Sequence, residues 1–387
     1  MNYDSLLSDK IKSLKPSGIR KFFDIAATMD DVISLSVGEP DFKTPWRVRR
    51  SAITSLEKGR TSYTSNSGTL ALREAIATYT AKQIGVTYSP VDEILVTVGG
   101  SEAIDLAIRA LVNLGDEVLI PEPCFVCYSP ITEMAGGVPV PLVTREENGF
   151  KLTAENLKSK ITDKTKALVL PFPNNPTGAV MTESDLLAIA EVLKGTNIAV
   201  ISDEIYSELT YGGDKHVSIA SLPNMRERVV VINGFSKAFA MTGWRLGYAL
   251  APKPILSQML KLHQFAIMCA PTTSQLAAVT ALTDCADDVA RMVDEYDMRR
   301  RLCVQLLADM GLPCFTPGGA FYVFPNITKT GLTSEEFCVR LINEKKVAVV
   351  PGSAFGASGE GYVRISYAYS LKHIGEAMKR IAEFVNQ

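Results

Sequence analysis

The chain has 387 residues, 47% of them hydrophobic, which is enough for a large core and two domains. Its 40 basic and 42 acidic residues leave a formal charge of -2 and a pI of about 6.1, so no basic excess points to nucleic acid or an anionic membrane as partner. Seven cysteines, odd in number and scattered, fit reduced thiols rather than a disulfide framework.

The opening segment "MNYDSLLSDKIKSLKPSGIR" lacks the apolar core and small-residue cleavage site of a secretory signal, and no apolar run approaches the roughly twenty residues of a membrane span. A soluble, cytoplasmic protein is expected. Five β-branched runs then read as strands: "EILVTV" (93–98), "EVLIP" (117–121), "ALVLP" (167–171), "IAVIS" (198–202) and "VVVI" (229–232). Between them "EAIDLAIRALVNL" and "ESDLLAIAEVLKG" carry apolar residues at three- and four-residue spacing, the helical period. This alternation predicts an α/β fold, a mostly parallel sheet covered by helices on both faces. After Asp284 the character changes. A long charged helix, "DDVARMVDEYDMRRRLCVQLLADMG", leads into "AFYVFPNI", "VAVVPGSAF" and "GYVRISYA", a smaller α+β unit that ends in a helix.

Each of the five strands is followed by an unusual polar stretch: "GGSEA", "EPCFVCY", "FPNNPTG", "DEIYSELTY" and "NGFSK". Open α/β sheets bind ligands beyond the carboxyl ends of their strands, so five such stretches in register predict a binding crevice. The glycine turn at Gly99–Ser101 offers backbone N–H groups and a helix start, which suit a phosphate but also an ordinary turn. Asn175 carries an amide that can donate to a phenolate-type oxygen. Asp203, at the end of a buried strand, needs a cationic partner, either a protein Arg or Lys or a protonated ring nitrogen on a ligand. Lys237 follows an apolar strand, where its ammonium form is disfavoured and its amine becomes a nucleophile towards an aldehyde; Arg245 stands eight residues on as a phosphate clamp. Cys124 and Cys127 form a lone C-x-x-C with no second pair, which reads as packing rather than a metal site. Phosphate donors, an amide, a buried acid, an apolar-flanked lysine and an arginine together match the requirements of pyridoxal phosphate.

"NNPTG", "SDEIY" and "SKAFAMTGWRLGY", in that order, resemble the class I aminotransferases, pyridoxal-phosphate enzymes of fold type I, and the likeness runs from "SVGEPDF" to "YVRISYA". "PSGIRKFFDIA" looks most like the aromatic and aspartate branch. The resemblance implies a large domain over 45–283 with a mostly parallel seven-stranded sheet, and a small α+β domain over 284–387. Residues 1–44 then form an N-terminal arm and part of the small domain. It implies that Lys237 is the covalent anchor and proton carrier, that Asp203 keeps the ring nitrogen protonated, that Asn175 and Tyr206 bond the ring's 3-oxygen, and that Phe125 stacks on the ring. Gly100, Ser101 and Glu102 (through backbone), with Arg245, then hold the phosphate. Tyr63 reaches the phosphate of a second subunit, which implies a homodimer with shared sites. Arg364, with the Gly38 backbone and Asn175, grips the substrate α-carboxylate.

Two departures stand out. Many relatives place a phosphate-binding serine where this chain has Gly234, so Ser236 is expected to substitute. Aspartate-specific relatives also supply a cation for the second carboxylate, at positions that here correspond to Phe265 and Ser101, and no Lys or Arg occurs between Lys261 and Arg291. This argues for an aromatic or broad-range amino donor, with 2-oxoglutarate accommodated by hydrogen bonds or by a mobile arginine such as Arg20. Two other readings are a C–S β-lyase using the same cofactor and a non-catalytic ligand-sensing module. The strands begin too early to leave room for the DNA-binding domain such a module carries.

Overall fold

In the computed structural model, residues 1–16, 18–19, 29, 31–213 and 215–386 are described; Ser17 and Arg20, the expected mobile cation, lie outside them. The large sheet has seven strands: β1 (Ile94–Thr97), β2 (Glu117–Glu122), β3 (Val138–Val143), β4 (Thr165–Leu170), β5 (Ala199–Asp203), β6 (Val229–Gly234) and β7 (Gly247–Leu250). Their order is β1-β7-β6-β5-β4-β2-β3. Pairing is parallel throughout β6-β5-β4-β2-β3, and only β7 runs against its two neighbours.

All five strands read from the sequence are present. The two that were not read have physical reasons for their silence. β3, "VPVPLV", lies at the sheet edge, where prolines at alternate positions cost no ladder bonds on the open side. β7, "GYAL", is short and begins at Gly247, where a Cβ would come within 2.6 Å of the Gly99 carbonyl carbon.

The apolar runs do not alternate with polar residues because both sheet faces are covered. Along β4, Ala167 and Val169 pack under one layer and Leu168 and Leu170 under the other; along β6, Val230 and Ile232 oppose Val229 and Val231. One layer contains the helices Gly100–Leu111 and Lys253–Ala266. The opposite layer is continuous with the C-terminal region through Val323, Ile365 and Ile374.

That C-terminal region follows the long helix Ala286–Asp309 and contains a three-stranded antiparallel sheet in which Val363–Ser366 lies between Val350–Pro351 and Tyr322–Val323. The N-terminal segment joins it, since Ile33–Ser34 pairs in parallel with Val347–Ala348. No helix among the described residues is long and apolar enough to cross a membrane.

Candidate active site

The polar stretches meet at the carboxyl end of the parallel strands and enclose a cavity of about 520 Å³. After β1 come Gly100 and Ser101, after β2 Phe125, after β4 Asn175, after β5 Tyr206, and after β6 Ser236 and Lys237; Asp203 itself closes β5. Arg245 reaches the same cavity from the turn before β7, while Gly38 and Arg364 reach it from the N- and C-terminal segments. Of the residues expected to hold the cofactor or the α-carboxylate, Glu102 and Tyr63 do not line it. Glu102 is turned into the layer behind the helix start, and Tyr63 is 82% exposed on the surface.

Asp203 resolves an alternative that the sequence left open. Its carboxylate is 7% exposed, accepts from the Tyr128 hydroxyl at 2.7 Å and from the Ile205 N–H at 3.2 Å, and forms no ion pair among the described residues. Burial pushes its pKa up, against the pull of the Tyr128 and Ile205 bonds. A buried acid held only by neutral donors has capacity left for a cation that the protein does not supply.

Lys237 donates from Nζ to the Gly38 carbonyl at 2.7 Å and lies near the faces of Tyr206 and Phe321. Burial, and next the charge of Arg364, lower its pKa from 10.5 to about 8. Its amine is therefore partly neutral near physiological pH. For cofactor-free protein mixed with pyridoxal phosphate, the capture rate should rise about tenfold per pH unit below roughly 8 and level off above it. Stopped-flow absorbance between pH 6 and 10 tests this expectation, and a midpoint near the ordinary lysine value would refute it.

Arg364 is 2% exposed and stands on the middle strand of its sheet, not on an edge. Its Nη1 donates to Asn175 Oδ1 at 2.9 Å and its Nη2 to the Ser36 carbonyl at 2.5 Å, while Nε–H has no partner. The guanidinium is stacked over Tyr322 at 4.5 Å and Phe355 at 4.9 Å. With Oδ1 engaged by Arg364, the Asn175 amide has its NH2 group left to donate elsewhere. Tyr206 shares a 2.7 Å hydrogen bond with the Tyr322 hydroxyl, and a Cβ on Gly38 would come within 2.2 Å of that same oxygen.

The glycine turn is shaped by close approach. A Cβ on Gly99 would stand 2.9 Å from Arg245 Nη2, so glycine lets the guanidinium lie against the turn. Arg245 itself has φ 52°, a conformation uncommon for a residue with a side chain. Gly234 ends β6, and its Cβ would meet Gly247 Cα at 3.0 Å and the Leu246 carbonyl at 3.1 Å. A serine there would sit tight against this backbone unless the neighbouring strand gave way by a few tenths of an ångström. Ser236, 8% exposed, is the hydroxyl that lines the cavity instead.

Sequence reasoning missed Tyr128 and Tyr322. Tyr128 ends "EPCFVCY", and its partner Asp203 is far away in the chain. Tyr322 had no signal beyond an apolar strand. Both cysteines of that pair are free, and burial raises both thiol pKa values. Among the described residues no group of three or more His, Cys, Asp or Glu could hold a metal ion.

The family model described as "Aminotransferase class I and II" matches residues 30–381. The chain belongs to this family. The aminotransferase is 49% identical over 383 residues to an aspartate aminotransferase of Pyrococcus abyssi (strain GE5 / Orsay), covering 98% of each chain. It is 46% identical, again over 98% of each, to aromatic-amino-acid aminotransferase 2 of Thermococcus litoralis (strain ATCC 51850 / DSM 5473 / JCM 8560 / NS-C). Among solved structures, it matches the aromatic aminotransferase of Pyrococcus horikoshii OT3 with a TM-score of 0.91 at 47% identity, covering 95% of this chain and 98% of that one.

The aminotransferase is therefore a fold type I enzyme that uses pyridoxal 5′-phosphate. The residues present fit that group. Asp203 has no cation of its own, Lys237 offers a partly neutral amine, and the glycine turn has no side-chain cap over its N–H groups. When bound, the cofactor supplies an aldehyde for an amine to condense with and a ring that withdraws electrons from the substrate Cα.

Proposed function

We propose that the aminotransferase takes its amino group from an aromatic or broad-range L-amino acid and passes it to a 2-oxo acid such as 2-oxoglutarate. The observation that carries this reading is the charge inventory of the cavity. Among the described residues, the cations that line it are Lys237, Arg245 and Arg364. Assigned to the aldehyde, the phosphate and the α-carboxylate, they leave none among the described residues for a second carboxylate. Phe265, at a position where aspartate-specific relatives were expected to carry an arginine, is 87% exposed and does not line the cavity of its own chain. The walls towards Ile19, Val37 and Tyr322 are largely apolar and suit a ring or an aliphatic chain.

In this reading Lys237 anchors the cofactor covalently and then carries the proton at Nζ between the substrate Cα and the cofactor. The Gly38 carbonyl holds that amine in place, and the rings of Tyr206 and Phe321 keep water from it. Asp203 holds a proton on the ring nitrogen, with Tyr128 fixing the carboxylate plane. Asn175 and Tyr206 donate to the 3-oxygen, and Phe125 covers a ring face. Gly100, Ser101, Glu102 (by backbone), Ser236 and Arg245 hold the phosphate. Arg364 offers the unpartnered Nε–H and its free Nη protons to the α-carboxylate, beside Gly38 and Asn175.

Tyr63 is assigned to the phosphate of a second copy in a homodimer, consistent with its exposure. The division into an arm (1–44), a large domain (45–283) and a small domain (284–387) is supported by the pairing of Ile33–Ser34 with Val347–Ala348.

The deciding experiment mixes the cofactor-loaded enzyme with each L-amino acid and follows conversion of the cofactor to its amine form by absorbance. Tyrosine, phenylalanine or tryptophan should convert at least about tenfold faster than aspartate, the usual reach of a pocket preference worth 1–3 kcal/mol. Aspartate ranking first would reject the donor assignment. Release of ammonia or thiol from cystathionine-like substrates would favour the lyase.

A further inference from the structure

His263 lies behind the phosphate-binding turn and is used by no step above. It is fully buried in the helix Lys253–Ala266, and its Nδ1 is 2.7 Å from Glu102 Oε1, while its Nε2 has no partner. With Nε2 unpartnered, the polar contact of the ring is the Nδ1–H donated to the Glu102 carboxylate. The other oxygen of Glu102 accepts from the Val98 N–H. The carboxylate is thus held by two donors on the side away from the cavity.

This restraint matters because of where Glu102 stands. It is the third residue of the helix Gly100–Leu111, whose preceding residue, Gly99, provides no side-chain cap. A carboxylate at this position ordinarily reaches back to the free N–H groups of the helix start and is drawn there by the helix dipole. In a capping box that carboxylate bonds the N-cap N–H, here Gly99, directly beside the Gly100, Ser101 and Glu102 N–H groups assigned to the phosphate, and its charge there would oppose the anion. Glu102 is a competitor for the anion site built into the site itself.

We propose that His263 is a positioning residue for the cofactor phosphate: by fixing the Glu102 carboxylate behind the turn, it leaves the helix-start N–H groups free for the anion. The inference rests on the reading of the glycine turn as the phosphate anchor.

The test titrates cofactor-free protein with pyridoxal phosphate and, separately, with pyridoxal, which lacks the phosphate. His263→Leu should weaken pyridoxal phosphate about tenfold, the equivalent of about 1.4 kcal/mol, and change pyridoxal less than twofold. Turnover at saturating cofactor should stay within twofold. His263→Asn, whose amide N–H replaces Nδ1–H, should retain near wild-type affinity. The double variant His263→Leu with Glu102→Gln should recover to within about threefold of wild type, because the competing charge is gone. If His263→Leu does not fold, Glu102→Asp, too short to reach His263 but still near the N–H groups, should show the same phosphate-selective loss. A single variant that weakens both compounds equally, or a double variant no tighter than the single, overturns the proposal. If the wild type binds pyridoxal phosphate no more tightly than pyridoxal, the phosphate reading of the turn fails as well, independently of His263.

Discussion

Lys237→Ala should lose the visible absorbance of the bound cofactor and lower turnover by at least about 10⁴-fold, the upper range for removing a positioned acid/base. The size follows from two losses in one atom. Among the described residues Nζ is the one cavity-lining amine, so no other lysine described there can capture the aldehyde. It is also the group held by the Gly38 carbonyl at the point where β6 delivers the chain into the cavity. Non-covalent binding should persist through the phosphate contacts, so equilibrium dialysis should still detect cofactor. An absorption spectrum and turnover unchanged from wild type would remove Lys237 from the reaction. The variant should fold, because the replaced side chain opens on the cavity rather than filling the core, and a melting curve on cofactor-free protein checks this.

Asp203→Asn should retain bound cofactor yet lose about 10²–10³-fold in turnover, the range for removing one preorganised electrostatic partner. Asparagine preserves the shape: its oxygen can accept from the Ile205 N–H and its amide can donate to the Tyr128 oxygen. What disappears is the negative charge that stabilises a proton on the ring nitrogen. Asp203→Ala would instead leave the buried Tyr128 hydroxyl without its partner and confuse the two effects. Unchanged turnover in Asp203→Asn would show that the carboxylate only supports the strand end. The large effect is expected because Asp203 forms no ion pair among the described residues, which leaves its charge available to a ligand.

Much of the fold was readable because its strands are buried on both faces and therefore appear as unbroken apolar runs. β4 and β6 are such cases. β3 and β7 escaped because an edge strand tolerates alternate prolines and a four-residue strand carries too little pattern. Among site residues, Asp203, Asn175 and Lys237 were legible because each breaks the local apolar pattern at a strand end. Tyr128, Tyr322 and His263 were not, since each acts through one oxygen or nitrogen whose partner is far away in sequence.

The sequence alone determined the chemistry on offer: which residue types stand at the carboxyl ends of parallel strands, and hence the cofactor they suit. That much follows from local order, because a strand end and the loop after it are contiguous in the chain. Only the tertiary structure decided how those groups are held. Asp203 has neutral partners rather than an ion pair, Arg364 is buried on a central strand with Asn175 as its partner, and Gly234 lies in close backbone contact with Gly247. Each of these depends on atoms brought together across strands and helices, and burial then sets what each charge costs and what each amine can do.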